Sequence, residues 1–201
     1  FNSPTQLPSQ FALPVKEQTA VSTEKGTNSM LVDFGKETFG FIKLHGLKGK
    51  GQLSVYYGES KEEALSVEHC ETLDRVEVNN TEKKDQTMKL SKAYRFVNVQ
   101  YDEGVTLDSV SMLYEYADVK EQGSFTCNDE EINRIYEVAK YTFELNTREF
   151  FIDGIKRDRW IWSGDAYQSY LMNYYLYFDS EAVKRTTYAL RGKDPVTGHI
   201  N

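Results

Sequence analysis

The chain has 201 residues, 39% hydrophobic and 27% charged, with 31 acidic against 24 basic side chains and a formal net charge of −7. That length holds one large domain or two small ones, and the balance is globular rather than disordered. An acidic sum argues against a nucleic-acid partner, whose phosphates want a basic face, and no apolar run approaches the roughly 18 residues of a membrane span.

The acidity is evenly spread, with 14 basic and 18 acidic residues in 1–120 and 10 and 13 beyond, so there is no basic tail or patch. The opening Phe1-Asn2-Ser3-Pro4 has neither a methionine nor an apolar signal core, which points to processing or excision from something longer. Cys70 and Cys127 lie far apart and fit no metal spacing. Two unrelated buried thiols are the favoured reading, one long-loop disulfide the alternative. His45, His69 and His199 are scattered, so no zinc site is expected.

Residues 1–28 hold three of the four prolines among Ser, Thr and Gln, and read as an extended lead-in or linker. From Met30 the pattern turns short and alternating. Leu31–Phe34, Gly40–Leu44, Gln52–Tyr57, Val67–Val78, Met88–Leu90, Tyr94–Tyr101 and Val105–Tyr116 carry β-branched and aromatic residues at period two. Gly35, Gly46, Gly49, Gly51, Gly58 and Gly104 separate them as turns, with one helical turn at Lys61–Leu65 and a polar hairpin or loop at Asn79–Gln86. Residues 29–120 are therefore expected to form an antiparallel β-sandwich.

Past Gly123 the period changes. Asn128-Asp129-Glu130-Glu131 is a helix start, and Ile132, Ile135, Val138 or Ala139, and Phe143 then share one face. A second helix is expected from Asp165 to Phe178. A third should start at Ser180, with Ala182, Val183, Ala189 and Leu190 inward and a stop at Gly192. Residues 121–201 thus form a helical domain, and the order is strands first, helices second. With only about 80 residues and no closing signal, this helical part is expected to be incomplete.

The chemistry is concentrated in 150–165. Asp153, Asp158 and Asp165 lie within thirteen residues with Lys156, Arg157, Arg159 and both tryptophans, Trp160 and Trp162. A loop can bring the three carboxylates to one pocket, where the arginines would hold two ionised and leave the third to act as an acid. The indoles offer flat apolar faces with an N–H handle, suited to a sugar ring. The same residues would also serve as a salt-bridged loop between helices, with the tryptophans as core and Asp165 as a plain N-cap. Likewise the aromatic face Tyr167, Tyr170, Tyr174, Tyr175 and Tyr177 serves packing as well as binding. Residue chemistry leaves both readings open.

The stretch Asp153-Gly-Ile-Lys-Arg157-Asp158-Arg-Trp-Ile-Trp162-Ser-Gly164-Asp165 resembles the acidic signature of bacterial α-L-rhamnosidases, glycoside hydrolase family 78. Gly123–Ile132 is similar to the lead into that family's (α/α)₆ barrel. Val32–Gly40, Val55–Ser60 and Tyr94–Val99 resemble the sandwich placed before it. The resemblance covers about residues 30–201 and implies the start of a six-hairpin barrel after the sandwich.

The resemblance also implies inverting hydrolysis by two carboxyl groups, one protonating the leaving oxygen and one activating water from the opposite face. No cofactor is needed. The acid position, a Glu in the family, is held here by Asp158, whose arm is one carbon shorter. Asp153 and Asp165 would bind sugar hydroxyls, with Arg157, Trp160 and Trp162 as further substrate-binding residues. The family's base comes from a much later helix, and Glu144, Glu149 and Glu181 match nothing in the motif. The chain alone is therefore expected to be inactive, with apolar helix faces left for the rest of its own barrel or a partner chain. The implied partner is a rhamnose-containing glycoside, oligosaccharide or polysaccharide, and the implied setting the periplasm or cell exterior. Two other readings stand beside this one: a carbohydrate-binding sandwich using Tyr56, Tyr57, Tyr94 and Tyr101, or a sandwich that is purely a structural accessory.

Overall fold

A computed structural model describes residues 12–191. They divide into a β unit, Val15–Glu115, and a second, helical unit made of the described residues on either side of it, 12–14 and 116–191.

The β unit is one antiparallel seven-stranded sheet curled on itself into a sandwich, with a single helical turn, α1 (Lys61–Leu65). Its strands are β1 (Val15–Thr19), β2 (Ser22–Lys25), β3 (Ser29–Gly58), β4 (Thr72–Thr87), β5 (Lys92–Tyr101), β6 (Val105–Thr106) and β7 (Ser109–Glu115). The three segments expected between Leu31 and Tyr57 are one strand, β3, of 30 residues. Held straight it would run about 100 Å, several times the size of such a unit, so it must bend. The glycines supply the bends: Gly35, Gly46 and Gly49 have φ of 86°, 63° and 115°, open to glycine at little cost, and the pairing shifts register around them. At Gly49 a Cβ would overlap the carbonyl oxygen of Gly104, so no side chain fits there.

The bends bring both ends of β3 onto β5. Met30, Leu31 and Val32 pair with Val99, Asn98 and Val97 on one side, and Val55, Tyr56 and Tyr57 pair with the same three residues on the other. Alternate residues of these strands point inward, and Val32, Ile42, Leu44, Leu53, Val55, Val97 and Val99 are wholly buried. Tyr57 and Tyr94 are also core, with rings 5.2 Å apart, so of the four tyrosines considered for glycan binding only Tyr56 and Tyr101 keep partial exposure.

The sheet's margins depart from expectation. Strands β1 and β2 lie inside the expected lead-in 1–28, because β7 and the first part of β3 offer them open ladders, and their polar side chains suit an edge. Asn79–Gln86 is no hairpin. It continues β4, pairing Asn80 with Gly49 and Gln86 with Leu44, and it is polar because that half of β4 is largely exposed. Met88–Leu90 and Val67–Glu71 are not strand.

One ion pair is built into the sandwich. Lys92 Nζ donates to Asp74 Oδ2 at 2.7 Å, the Tyr57 hydroxyl donates to the same oxygen at 2.7 Å, and the ammonium lies 5.1 Å from the Tyr57 ring centre. Burial, then the Asp74 charge, pushes the Tyr57 hydroxyl well above its usual range. A more exposed cluster ties β1 down. Ser111 Oγ donates to Glu17 Oε1 at 2.7 Å and Lys43 Nζ to Glu17 Oε2 at 3.2 Å. His45 Nδ1 lies 3.0 Å from Asp85 Oδ2, and the Gly46 N–H donates to Asp85 Oδ1 at 3.0 Å.

The helical unit holds α2 (Glu130–Asn146), α3 (Ser163–Leu176) and α4 (Ser180–Arg191). Asp129 caps α2 by accepting from the N–H groups of Glu131 and Ile132 at 2.8 and 3.3 Å. The core is aromatic: Phe143 stacks on Phe151 and Tyr177 at 5.3 and 5.4 Å, closed by Leu176 and Ala182. Phe143 alone of the expected α2 face is buried. Ile132, Ile135 and Val138 are 47%, 62% and 67% exposed. On α4, Ala182 and Leu190 are buried and Val183 partly so, but Ala189 is exposed. The expected stop at Gly192 lies outside the described residues.

Lys92 is buried and Asp74 partly so, and removing the ammonium leaves Asp74 only the Tyr57 hydroxyl, so Lys92→Met should cost about 1–3 kcal/mol, read as a lower urea midpoint at unchanged slope. A second expectation concerns pH. The Ser111 hydrogen bond, the Arg95 guanidinium and the Gly46 N–H, with Lys43 and His45 adding, hold Glu17, Asp33 and Asp85 respectively below their ordinary values. Their stabilisation is complete above the unfolded carboxylate range near pH 4 and is lost as pH falls through the depressed values. The β unit's urea midpoint should therefore drop steeply below about pH 4, and less so in Asp85→Asn.

Candidate functional site

The acidic stretch leaves the helical core through an anchored connection. After α2, Thr147 bridges to Phe151, and the Ile152 N–H donates to the Asn146 carbonyl at 3.0 Å. From α4, Thr186 Oγ1 accepts the Phe151 N–H at 3.1 Å, and Arg185 Nε donates to the Glu149 carbonyl at 2.8 Å. Arg185 is almost wholly buried, and desolvation pulls its guanidinium down to about 10, still charged at neutral pH. The backbone is thus fixed up to Ile152.

A loop follows, and Asp153 closes it. Its N–H donates to the Trp160 carbonyl at 2.9 Å, while its Oδ1 accepts the N–H groups of Gly154 and Trp160 at 2.8 and 2.9 Å. Its Oδ2 accepts the Trp162 indole Nε1–H at 3.1 Å. Arg159, just before the pinned Trp160, has φ 49°, left-handed for a non-glycine residue, and reverses the chain there.

The sequence-derived residues fall into two sets. Asp153, Trp160 and Trp162 are brought together by these bonds. Arg157 and Asp158 are exposed on the loop between them, and Asp165 is exposed in the first turn of α3. Among the described residues no hydrogen bond or ion pair engages the carboxylates of Asp158 or Asp165, and Arg157 pairs with none of the three aspartates, so its expected role in holding them ionised is not realised here. Asp165 is not the cap of α3. Trp162 is, with its carbonyl accepting the Ala166 N–H at 2.9 Å, so Asp165 sits within the turn where the helix dipole favours an anion. The indoles are not core: Trp160 and Trp162 are 62% and 49% exposed.

Sequence reasoning missed the clasp at Asp153, although Asp153-Gly154 is the dipeptide in which an aspartate bonds nearby backbone. It also missed Arg185 and Thr186, the helix residues that hold the connection. Tyr174, Tyr175 and Phe178 form an exposed edge-to-face aromatic group, lining a shallow groove of about 330 Å³ with Gln122, Gly123 and Tyr177. Among the described residues no three His, Cys, Asp or Glu side chains gather as a metal would need, and Cys70 and Cys127 are free thiols. Chemically, the loop presents the Asp158 carboxylate, without a partner among the described residues, and two exposed indoles.

Two family models match the chain. One, described as alpha-rhamnosidase-like, bacteroidetes, N-terminal, covers residues 1–99, and the other, bacterial alpha-L-rhamnosidase 6 hairpin glycosidase domain, covers residues 120–200. No curated protein matches. Among solved structures, the GH78 family rhamnosidase of Bacillus sp. GL1 matches 79% of this chain at 23% identity and a TM-score of 0.69. A rhamnosidase from Klebsiella oxytoca with rhamnose bound matches 90% at 17% identity and 0.71. An α-L-rhamnosidase from Streptomyces avermitilis complexed with L-rhamnose matches 86% at 16% identity and 0.67. These likenesses establish the fold, sandwich then helices. The chain spans 17%, 43% and 18% of those proteins respectively.

A Cβ at Gly164 would meet nothing within 4 Å, so packing does not require glycine in this helical turn. Gly164→Ala should raise stability by about 0.5–1 kcal/mol, measured by thermal unfolding. If a ligand approaches this face, the same change should lower its affinity.

Proposed function

We propose, for a chain that belongs to the bacterial α-L-rhamnosidase family through both of its units, that the intact protein hydrolyses terminal α-L-rhamnosides with inversion. The observation that carries this reading is the loop 153–165. It lies inside the segment matched by the six-hairpin glycosidase model and holds an exposed Asp158, its carboxylate without a partner among the described residues, with the exposed indoles of Trp160 and Trp162 two and four residues on. Asp158 is the general acid that protonates the leaving oxygen. Arg157, Trp160, Trp162 and Asp165 contact the sugar, the indoles by stacking and the others by charge-assisted hydrogen bonds.

Inversion needs a second carboxylate roughly 6.5–9.5 Å from the first, on the opposite face of the ring, to activate water. No carboxylate of this chain is assigned that task. Glu181 is engaged by Lys184 at 2.9 Å. The 201 residues alone are accordingly proposed to be inactive. The exposed Ile132, Ile135 and Val138 of α2 are proposed to be covered by the remaining hairpins of the same barrel. The sandwich is proposed to serve as a structural accessory, since two of its four candidate glycan-stacking tyrosines are core. A periplasmic or extracellular setting belongs to the same proposal.

The test is hydrolysis of p-nitrophenyl α-L-rhamnoside by the intact protein. Wild type should turn over, with the β-anomer of free rhamnose forming first by NMR, and Asp158→Asn should lower kcat by about 10²–10⁴-fold. Undiminished activity in Asp158→Asn would move the acid elsewhere. A folded wild type without activity would overturn the rhamnoside reading.

A further inference from the structure

We infer that Asp153 is a positioning residue, whose carboxylate closes the 153–160 loop and turns the Trp162 indole, and so sets where the Asp158 carboxylate stands. The inference rests on the rhamnoside-hydrolase reading for its consequence in catalysis, and on the hydrogen bonds alone for the clasp.

A carboxylate has about four acceptor sites. Asp153 uses three of them within its own chain: the Gly154 and Trp160 N–H groups on Oδ1, and the Trp162 Nε1–H on Oδ2. Its backbone N–H adds a fourth tie, to the Trp160 carbonyl. One residue therefore pins the chain one, seven and nine positions ahead of itself. It is itself seated on fixed backbone, since Phe151 and Ile152 are held by Thr186 and by the end of α2.

Asp158 lies inside the closed loop, two residues before the pinned Trp160, with no side-chain hydrogen bond among the described residues. Its position is therefore inherited from the loop. Between it and Trp160 stands Arg159 at φ 49°, a backbone state kept only where the surroundings enforce it. Releasing the clasp releases that turn. The acid and the Trp162 wall move together, because one carboxylate holds the loop and the ring.

The Asp153→Asn amide separates this role from direct sugar binding. Its oxygen can accept the two backbone N–H groups or the indole N–H, but not all three, and its NH₂ then faces another donor. Trp162→Phe removes the indole donor and leaves everything else of the clasp. In the intact protein both variants should lower kcat on the aryl rhamnoside, by about 10²-fold for a misplaced acid, with KM within about threefold for Asp153→Asn. Because both remove the same bond, the double variant should lose clearly less than the product of the single losses.

A readout free of catalysis accompanies this. Lys156, Arg157 and Arg159 are trypsin sites inside the loop, so mass mapping of the first cuts should show cleavage there at least tenfold faster in Asp153→Asn than in wild type, and intermediate in Trp162→Phe. Unchanged cleavage with a KM raised more than tenfold and kcat intact would overturn the inference and make Asp153 a sugar ligand only. A wild type inactive on the rhamnoside would refute the function reading, and the cleavage comparison would then decide the clasp alone. Should Asp153→Asn not fold, Trp162→Phe carries the same comparison.

Discussion

Both edges of β5 are filled by the same strand, and the architecture of the β unit follows from that. Val97, Asn98 and Val99 each pair with two residues of β3, one from its start and one from its end. A strand can reach a neighbour from both sides only by curling through most of a turn, and β3 does so at its left-handed glycines. The curl closes the inward faces of β3 and β5 over one apolar interior. It also fixes register twice over, since a one-residue slip of β5 would turn Val97 and Val99 outward against both ends of β3 at once. The Lys92–Asp74–Tyr57 cluster adds a polar lock at the beginning of β5, where a mispaired strand would strand a charge.

The helical unit solves a different problem, the placing of an irregular loop. Loops carry function when a rigid frame fixes their ends. Here the frame is the Phe143–Phe151–Tyr177 stack together with two α4 residues, Arg185 and Thr186, that bond the backbone of the connection. The loop ends as α3 begins, with Trp162 as both cap and wall, so the indole's orientation and the helix start are one event. This economy leaves the carboxylates of Asp158 and Asp165 free of internal partners among the described residues, which suits groups that must meet a substrate.

Much of this was legible in the amino-acid sequence, and what was not has physical causes. Period-two alternation marked the strands, and the run Asn128-Asp129-Glu130-Glu131 marked the start of α2, because both signals are local. The glycines of β3 were read as breaks, although a glycine that bends a continuing ladder looks the same in sequence as one that ends it. The polar half of β4 carried no alternation since much of it meets water on both faces. Ile132, Ile135 and Val138 made a correct apolar stripe, but periodicity says only that a face is apolar, not that these residues find their cover among α3 and α4. The acidic cluster was legible as a group and by resemblance. That Asp153 turns inward to bind its own loop depends on a reversal at Arg159, which no residue type announces.

The double use of β5 also dictates the order in which the β unit can be assembled as the polypeptide is made. β3 is complete at Gly58, yet the strand that bonds both of its ends begins only at Lys92. While the intervening residues are being synthesised, two open ladders of an apolar strand face solvent, a state prone to pairing with neighbouring chains. The β3–β4 hairpin can form early because its partners are close in sequence, whereas the start of β3 must wait for β5 across some 60 residues, a pairing of high loop-closure cost. Nascent chains should thus pass through a stage in which β4 is docked and the first residues of β3 still lack β5, and the edge strand β1, short and polar, joins only after its partner β7 is made.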